Sequence, residues 1–310
     1  MTRPEPPVLA IVGPTATGKS ALAVGVAQAL IERGQPAEIV NGDSMLVYRG
    51  MDIGTAKPSL TERGGVPHHL IDVLDVTETA SVAEFQGWAR AAVADCRARG
   101  VLPIVVGGSA LYVHAILDEM DFPATDPDVR ARWEAELERV GPAELHRQLA
   151  DRAPDVAADI LPGNGRRIVR ALEAIELTGG FRARLPQPVY ALSGVTQAGL
   201  DIGRDVLHQR IAQRVDALWA AGLVEEVRDL EAKGIRDGLT ASRALGYRQV
   251  LACLDGAMTE DEARAETVQA TRRFARKQMG WFRRDDRIVW HPFDAVGLAG
   301  DLARQALDVG

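Results

Sequence analysis

Gly13-Pro14-Thr15-Ala16-Thr17-Gly18-Lys19-Ser20 decides how this chain is read. It follows a short apolar run, Val8 to Val12, and precedes an Ala-rich stretch with helical character, Ala21 to Leu30. Strand, glycine loop and helix in that order, with the spacing G-x-x-x-x-G-K-[ST], describe a phosphate-binding loop. Gly13 and Gly18 let the backbone bend so that successive N–H groups point into one hollow. The positive end of the next helix faces the same hollow. Lys19 adds a point charge there, and Ser20 offers a hydroxyl to Mg²⁺. The site is therefore expected to hold a diphosphate or a triphosphate.

Working outward, Ala37 to Asn41 is a second strand candidate that ends at Gly42-Asp43-Ser44. Ligands of an open α/β sheet gather at the carboxyl ends of its strands, which places Asp43 near the phosphate loop. A carboxylate there suits a base or a magnesium partner, and a helix cap from Asp43 or Ser44 is the other reading. Residues 45–58, MLVYRGMDIGTAKP, read as an ordered loop. Pro67 to Val73 begins a third short apolar run. Its adjacent His68 and His69 point to opposite faces of a strand, which argues against their sharing one ion. Val82 to Arg99 carries helical spacing, with Gly100 as its stop. Val101 to Val106 is a buried strand running into Gly107-Gly108-Ser109. A nucleotide hydrolase usually places a carboxylate at such a strand end, so the equipment for cleaving a γ-phosphate is weak. Asp72 and Asp75, on the preceding run, read as loop or cap residues.

From about Asp121 the prolines cut the chain into short helical pieces with no buried strand. The organisation expected is a P-loop NTPase-like α/β core, a parallel sheet flanked by helices, over residues 1–121 and 188–310. A small all-helical insertion occupies 122–187. The insertion carries Arg166, Arg167 and Arg170, then Arg182 and Arg184. Arg166 and Arg170 stack on one helix face, so either an anionic partner or a solvated basic face is implied. Val189 to Leu192 is the place where the chain could return to the sheet. Asp205 to Lys233 reads as one long amphipathic helix with Arg210 and Arg214 near its start. Ile288 to Trp290 is a candidate final strand, and a helix follows from Ala295.

Two late segments are basic and aromatic: Arg243 to Arg248, and Thr271 to Arg284 with Phe274, Trp281 and Phe282 interleaved. Cations that track a phosphate backbone and aromatics that stack on splayed bases suit single-stranded RNA; aromatics in the core beside solvated arginines are the alternative. The net charge of the 310-residue chain is −7, which taken alone argues against nucleic acid. The cations are clustered, however, so the average conceals them. Cys96 and Cys253 lie far apart without metal-ligand spacing and read as small buried residues in a reducing compartment. The chain opens without a charged then apolar leader, so a cytoplasmic, membrane-free protein is expected.

These residues together resemble the tRNA dimethylallyltransferases (IPP transferase family). The resemblance runs through GPTATGKS at 13–20, DSMLVYRGMDIGTAKP at 43–58, PHHLIDV at 67–73 and VVGGSALY at 105–112. It continues through RRIVRALE at 166–173, LHQRI at 207–211, RALGYRQ at 243–249 and RKQMGWFRR at 276–284. It implies dimethylallyl diphosphate as donor, Mg²⁺ as cofactor, the anticodon stem-loop of tRNA as partner, adenosine 37 as acceptor, and a monomer. Asp43 matches the general base, with Thr17 and Lys19 beside it in the catalytic set. Gly13, Pro14, Thr15, Ala16, Thr17, Gly18, Lys19 and Ser20 match the diphosphate loop, Ser20 is the metal candidate, and Arg210 resembles the diphosphate arginine. Asp43, Ser44, Met45 and Leu46 match a tRNA-contacting segment, as do Ser109, Arg130, Arg166, Arg167 and Arg170. Arg243, Gly246, Tyr247 and Arg248 match another, and Arg276, Lys277, Gln278, Trp281 and Arg283 a last one. Two departures stand out: Ser109 replaces the usual Thr, and Gly163-Asn164-Gly165 replaces a common Asn-Asp before Arg166. The rival readings are a P-loop small-molecule kinase, a prenyltransferase acting on free adenine nucleotides, and a non-catalytic RNA-binding module.

Overall fold

The computed structural model describes residues 5–183 and 187–308. Contacts divide the chain into two compact units, Met1–Glu119 with Val189–Gly310, and Met120–Pro188. In the first unit the strands are β1 (Val8–Val12), β2 (Ala37–Asn41), β3 (His68–His69), β4 (Leu102–Gly107), β5 (Val195–Asp201) and β6 (Ile288–Pro292). All pair in parallel, in the order β3-β2-β4-β1-β5-β6. Every residue of β1 is buried, because the sheet is covered on both faces. Leu9 and Ile11 pack on one side with Ile104, Val106 and helices α1 (Lys19–Glu32) and α12 (Leu298–Asp308). Val8, Ala10 and Val12 face the opposite layer. That layer is built from α2 (Val82–Ala98), α3 (Ala110–Leu117), α9 (Leu223–Glu231) and α10 (Tyr247–Leu254). α8 (Arg204–Ala220) and α11 (Glu260–Phe282) pack on each other through Leu207, Ile211 and Ala275.

Three expectations need correction. The return to the sheet is Val195–Asp201 and not Val189–Leu192; the earlier stretch makes only an isolated bridge between Asp118 and Tyr190. VTQAGLD lacks an apolar run because two of its positions are specialised. Gln197 is buried and donates to Tyr190 Oη at 2.9 Å, and a Cβ at Gly199 would lie 2.6 Å from Ile288. The long helix expected over 205–233 is two helices, broken where Gly222 adopts φ 98°, a conformation that suits glycine. The run at 67–73 contributes only two strand residues, since Leu70 and Asp72 both have left-handed backbone angles near 60°.

The second unit is all helical: α4 (Pro127–Val140), α5 (Pro142–Arg152), α6 (Pro154–Ala158) and α7 (Gly165–Thr178). Pro127, Pro142 and Pro154 each open a helix, where a missing N–H costs nothing. Trp133, Leu145, Leu149, Ile168 and Leu172 form its core. The Gly163-Asn164-Gly165 departure has a packing reason. Asn164 caps α7 by accepting from Arg167 N, and a Cβ on Gly165 would sit 2.8 Å from Leu137.

Candidate active site

The phosphate loop leaves β1 and turns back into α1. Gly13 has φ 144°, and a Cβ there would lie 3.2 Å from the Leu200 carbonyl, so the loop passes tightly over β5. Gly18 has φ 90° and directly precedes Lys19, the first residue of α1. Pro14 O is the internal acceptor: Thr17 Oγ1 donates to it at 2.9 Å and Lys19 Nζ at 2.6 Å. Thr17 is thereby buried and Lys19 folded inward, while Ser20 is exposed on the first turn of α1. Two distant side chains brace the same loop. Arg210 Nε, from α8, donates to Ala16 O at 2.7 Å, and Gln278 Oε1, from α11, accepts from Thr15 N at 3.0 Å.

Asp43 follows β2 at its carboxyl end. Asn41 sets its position, accepting from Asp43 N at 2.8 Å through Oδ1 and donating to Asp43 O at 2.8 Å through Nδ2. One carboxylate oxygen of Asp43 accepts from Met45 N at 2.8 Å, and the other has no hydrogen bond among the described residues. Asp43 therefore caps a turn with one oxygen and leaves the second available. The glycines that end β4 allow this approach. A Cβ on Gly107 would fall 2.8 Å from Gly42 O, and one on Gly108 would fall 2.6 Å from Gln278 Nε2. Ser44 lies beside Tyr112, and Ser109 stands at the N-cap of α3 with no capping bond from its side chain.

Charge ties these groups together. Burial pushes the Lys19 ammonium down to about 7, against the opposing pull of Asp43, and Arg214 adds to the downward push. Burial also lowers the Arg214 guanidinium, again opposed by Asp43. Lys19, Asp43 and Arg214 thus sense one another. The sequence marks Arg214 only as lying four residues after Arg210. That i, i+4 spacing is the signal that it shares the inward face. Its Nη2 donates to Thr55 O at 3.1 Å, joining α8 to the 45–58 loop.

That loop is ordered by two charges, a buried lysine and a half-buried glutamate. Lys57 Nζ, 3% exposed, reaches Tyr48 O at 2.8 Å and the carboxylates of Asp52 and Asp72 at 2.6 Å each. Glu226 accepts from the backbone N–H groups of Asp52, Ile53 and Gly54 at 3.0, 2.6 and 3.1 Å. Asp72 and Asp75 are spent on Lys57 and Arg49, so neither stands in as the missing hydrolytic carboxylate.

The expected RNA-facing residues separate into two sets. Arg243, Arg248, Arg276, Lys277 and Trp281 are exposed, as is Phe274. Arg243, Arg276 and Lys277 have no carboxylate partner among the described residues, while Arg248 reaches Glu266 at 3.5 Å. Arg283 is exposed but pairs with Asp201 at 2.6 Å and lies over the Trp290 ring. The side chains of Tyr247 and Gln278 are not surface groups. Tyr247 is wholly buried and donates to Glu226 Oε1 at 2.6 Å; Gln278 is 5% exposed and spends its amide on the phosphate loop. Gly246 is buried too, and Phe282 belongs to the core. Met45 and Leu46 are half-buried beside Asp43.

In the helical unit, the arginine stack has its own counter-ion. Glu173, fully buried, accepts from Arg130 and from Arg170 at 2.8 Å each, and from Asp126 N at 3.0 Å. Arg170 also donates to Pro123 O and Ala124 O, and Arg167 to Ala183 O. Of the cluster, Arg166 and Arg182 are exposed without a carboxylate partner among the described residues, and Arg184 lies outside those residues. The repulsion expected between Arg166 and Arg170 is relieved inside the unit, so it does not by itself require an external anion.

A glycine loop between a central parallel strand and a helix, with a buried lysine and a carboxylate from the next strand at the same sheet end, defines a P-loop-like α/β protein. The family model for IPP transferase matches residues 46–285, and the chain belongs to that family. It is 60% identical over 311 residues to the tRNA dimethylallyltransferase of Kineococcus radiotolerans, covering 100% of this chain and 98% of that one. The tRNA dimethylallyltransferase of Thermobifida fusca is 61% identical over 292 residues, 94% of this chain and 91% of that one. Among solved structures, the tRNA isopentenylpyrophosphate transferase of Bacillus halodurans superposes with a TM-score of 0.71 at 38% identity, covering 98% and 97% of the two chains.

Proposed function

We propose that this protein transfers the dimethylallyl group of dimethylallyl diphosphate to N6 of adenosine 37 in tRNA and releases diphosphate. The observation that carries this reading is that Lys19 and Asp43 lie within electrostatic reach of each other at one end of the sheet, beside a β4 terminus of Gly107, Gly108 and Ser109. The site has a grip for a diphosphate and a carboxylate for a proton, without the carboxylate that γ-phosphate cleavage usually employs. The names of the relatives support the same donor and acceptor.

The chemistry follows from the groups present. The bond from C1 of the allyl group to the diphosphate oxygen breaks, and C1 bonds to N6 of the adenine. The allyl fragment delocalises developing positive charge. The departing diphosphate is stabilised by backbone N–H groups of residues 16–20, by Lys19 and by Arg210. Adenine N6 is a poor nucleophile because its lone pair is drawn into the ring. The free oxygen of Asp43 accepts its proton as the new bond forms, a contribution of roughly 10²–10⁴-fold for a positioned base. Thr17 holds the loop through Pro14 and so positions Lys19. The Ser20 hydroxyl and the Asp43 carboxylate are hard oxygen donors of the kind Mg²⁺ prefers, and the ion would neutralise diphosphate charge there. Arg243, Arg248, Arg276 and Lys277 suit an RNA backbone, and Trp281 suits a base; Arg166 and Arg182 offer further cations on the helical unit. No helix of the described residues is long and apolar enough to cross a membrane. We place the protein in the cytoplasm, acting as a monomer.

The test is to mix the protein with unmodified tRNA and labelled dimethylallyl diphosphate, digest the RNA and identify the labelled nucleoside. Label in N6-dimethylallyladenosine supports the reading. Label transferred only to free adenine nucleotides, or none, overturns it.

A further inference from the structure

His69 and Cys96, which show no metal-ligand spacing in the sequence, meet Glu38 at the β3 edge of the sheet. Glu38 lies near the amino end of β2, whereas Asp43 follows the carboxyl end of the same strand. Cys96 Sγ is 3.4 Å from Glu38 Oε2 and 3.6 Å from His69 Nε2, and those two atoms are 2.7 Å apart. Tetrahedral zinc, with bonds of about 2.3 Å to sulfur and about 2.0 Å to nitrogen and oxygen, needs S···N and S···O edges of roughly 3.5 Å and an N···O edge of roughly 3.3 Å. Two of the three edges already have that length. The third is a hydrogen bond, and a metal that displaced its proton would open it by about half an ångström.

We propose that Glu38, His69 and Cys96 form a binding site for zinc or a zinc-like divalent cation, with solvent as the fourth ligand. Thiolate, imidazole and carboxylate on one small triangle are a donor set for a borderline-soft ion and not for Mg²⁺. His68, one residue away, does not take part: its Nδ1 lies 2.8 Å from Val66 O. The ion binds as the Cys96 thiol gives up its proton and His69 presents an unprotonated Nε2, its remaining proton moving to Nδ1. Glu38 is already ionised, because hydrogen bonds from Arg99 hold its carboxyl down at about 2. Burial, reinforced by Glu38, pushes the Cys96 thiol up to about 12, so without a metal it is inert.

Arg99 is the competitor. Its Nη1 and Nη2 fork the Glu38 carboxylate at 2.8 and 2.7 Å, and Nη2 lies 3.7 Å from Cys96 Sγ. It is half exposed and also holds Asp95 at 2.8 Å, so it can release Oε2 and keep Oε1 and Asp95. A bound ion would fasten β2, the two-residue edge strand β3 and the end of α2 to one another. Its effect is therefore expected on stability and not on group transfer.

The whole protein, stripped with a chelator, is titrated with Co²⁺ and, separately, melted with and without Zn²⁺. We expect a thiolate-to-cobalt charge-transfer band and a Tm raised by Zn²⁺. Both are lost in Cys96→Ser and retained in Cys253→Ser, with circular dichroism confirming that each variant folds. Arg99→Gln, which removes the competing cation, binds Co²⁺ about tenfold more tightly. Absence of the band in the unaltered protein, its survival in Cys96→Ser, or unchanged or weaker binding by Arg99→Gln overturns the proposal.

Discussion

Gln278 Oε1 accepts the backbone N–H of Thr15 at 3.0 Å, so a residue of the penultimate helix holds the phosphate loop in shape across 263 positions of sequence. Gln278 lies beside Lys277, which is exposed on the same helix. The helix therefore joins a cationic surface to the glycine loop at 13–20.

Replacing Gln278 with Leu leaves Thr15 N without its partner, at a cost of roughly 1–3 kcal/mol for a buried donor. We expect diphosphate binding to weaken about tenfold while tRNA affinity changes little. Lys277→Ala, one residue away, should do the reverse. Filter binding with tRNA beside calorimetry with diphosphate separates the two; loss of tRNA affinity alone in Gln278→Leu counts against the bracing role.

Asp43→Ala should lower turnover by roughly 10²–10⁴-fold, the range for a positioned base, and leave tRNA affinity nearly intact. Single-turnover rates at saturating tRNA measure the first quantity. Equal losses in rate and in affinity would assign Asp43 to binding.

Lys19 makes diphosphate binding proton-linked. Its folded value of about 7 reflects burial, so near pH 8 about nine in ten ligand-free molecules carry it neutral. A bound anion favours the charged form, so binding at that pH takes up a proton. Lys19's share of the affinity is full below its ligand-free value and declines as pH rises above it. Calorimetry in buffers of different ionisation enthalpy reads the uptake, which Lys19→Met should reduce by about one proton at about pH 8. Equal uptake in both proteins would refute the assignment.

Salt dependence should distinguish free cations from paired ones. Arg243→Ala, Arg276→Ala and Lys277→Ala remove unpaired surface charges, and each should flatten the plot of log affinity for tRNA against log salt by about 0.7–0.9 if it meets a phosphate. Arg283, held by Asp201, should flatten it less. Similar slopes for Arg276→Ala and Arg283→Ala would show that the Asp201 pair opens on binding.

Glu173 anchors the helical unit. Glu173→Leu strands Arg130 and Arg170 around an apolar site, and we expect a loss of roughly 3 kcal/mol. Burial raises the Glu173 carboxyl, but hydrogen bonds from Arg130, Asp126 N and Arg170 outweigh it and hold it below the usual range. Its stabilising share is therefore present above the unfolded value and lost as pH falls through the folded one. Urea titrations of the two proteins at neutral and acid pH should converge on acidification; a constant gap would refute this.

The residues legible in order along the chain were those whose signal is local. Val8–Val12 and Gly13–Ser20 announce strand, loop and helix because apolar run, glycine spacing and lysine all lie within 13 neighbouring positions. Asp43 could be placed beside them because ligands collect at carboxyl ends of parallel strands. β5 escaped because a strand buried between two parallel neighbours needs no alternation, and its Gln197 and Gly199 answer to Tyr190, Ile288 and Trp290. Gly222 stood inside an unbroken apolar stripe, and its left-handed angle leaves no mark on spacing.

The sequence alone thus determined the P-loop-like core, the helical pieces that lie between residues 127 and 178, and the place of Asp43 just past the end of β2, since each rests on spacing within a few turns or one strand. Only the tertiary structure decided which polar side chains are free. Gln278 turns inward to the loop at Thr15 and Tyr247 to Glu226 of α9, Arg130 and Arg170 are consumed by Glu173, and Cys96 finds His69 and Glu38. A side chain's availability depends on what folding brings against it from tens or hundreds of residues away, and a linear pattern carries no record of that partner.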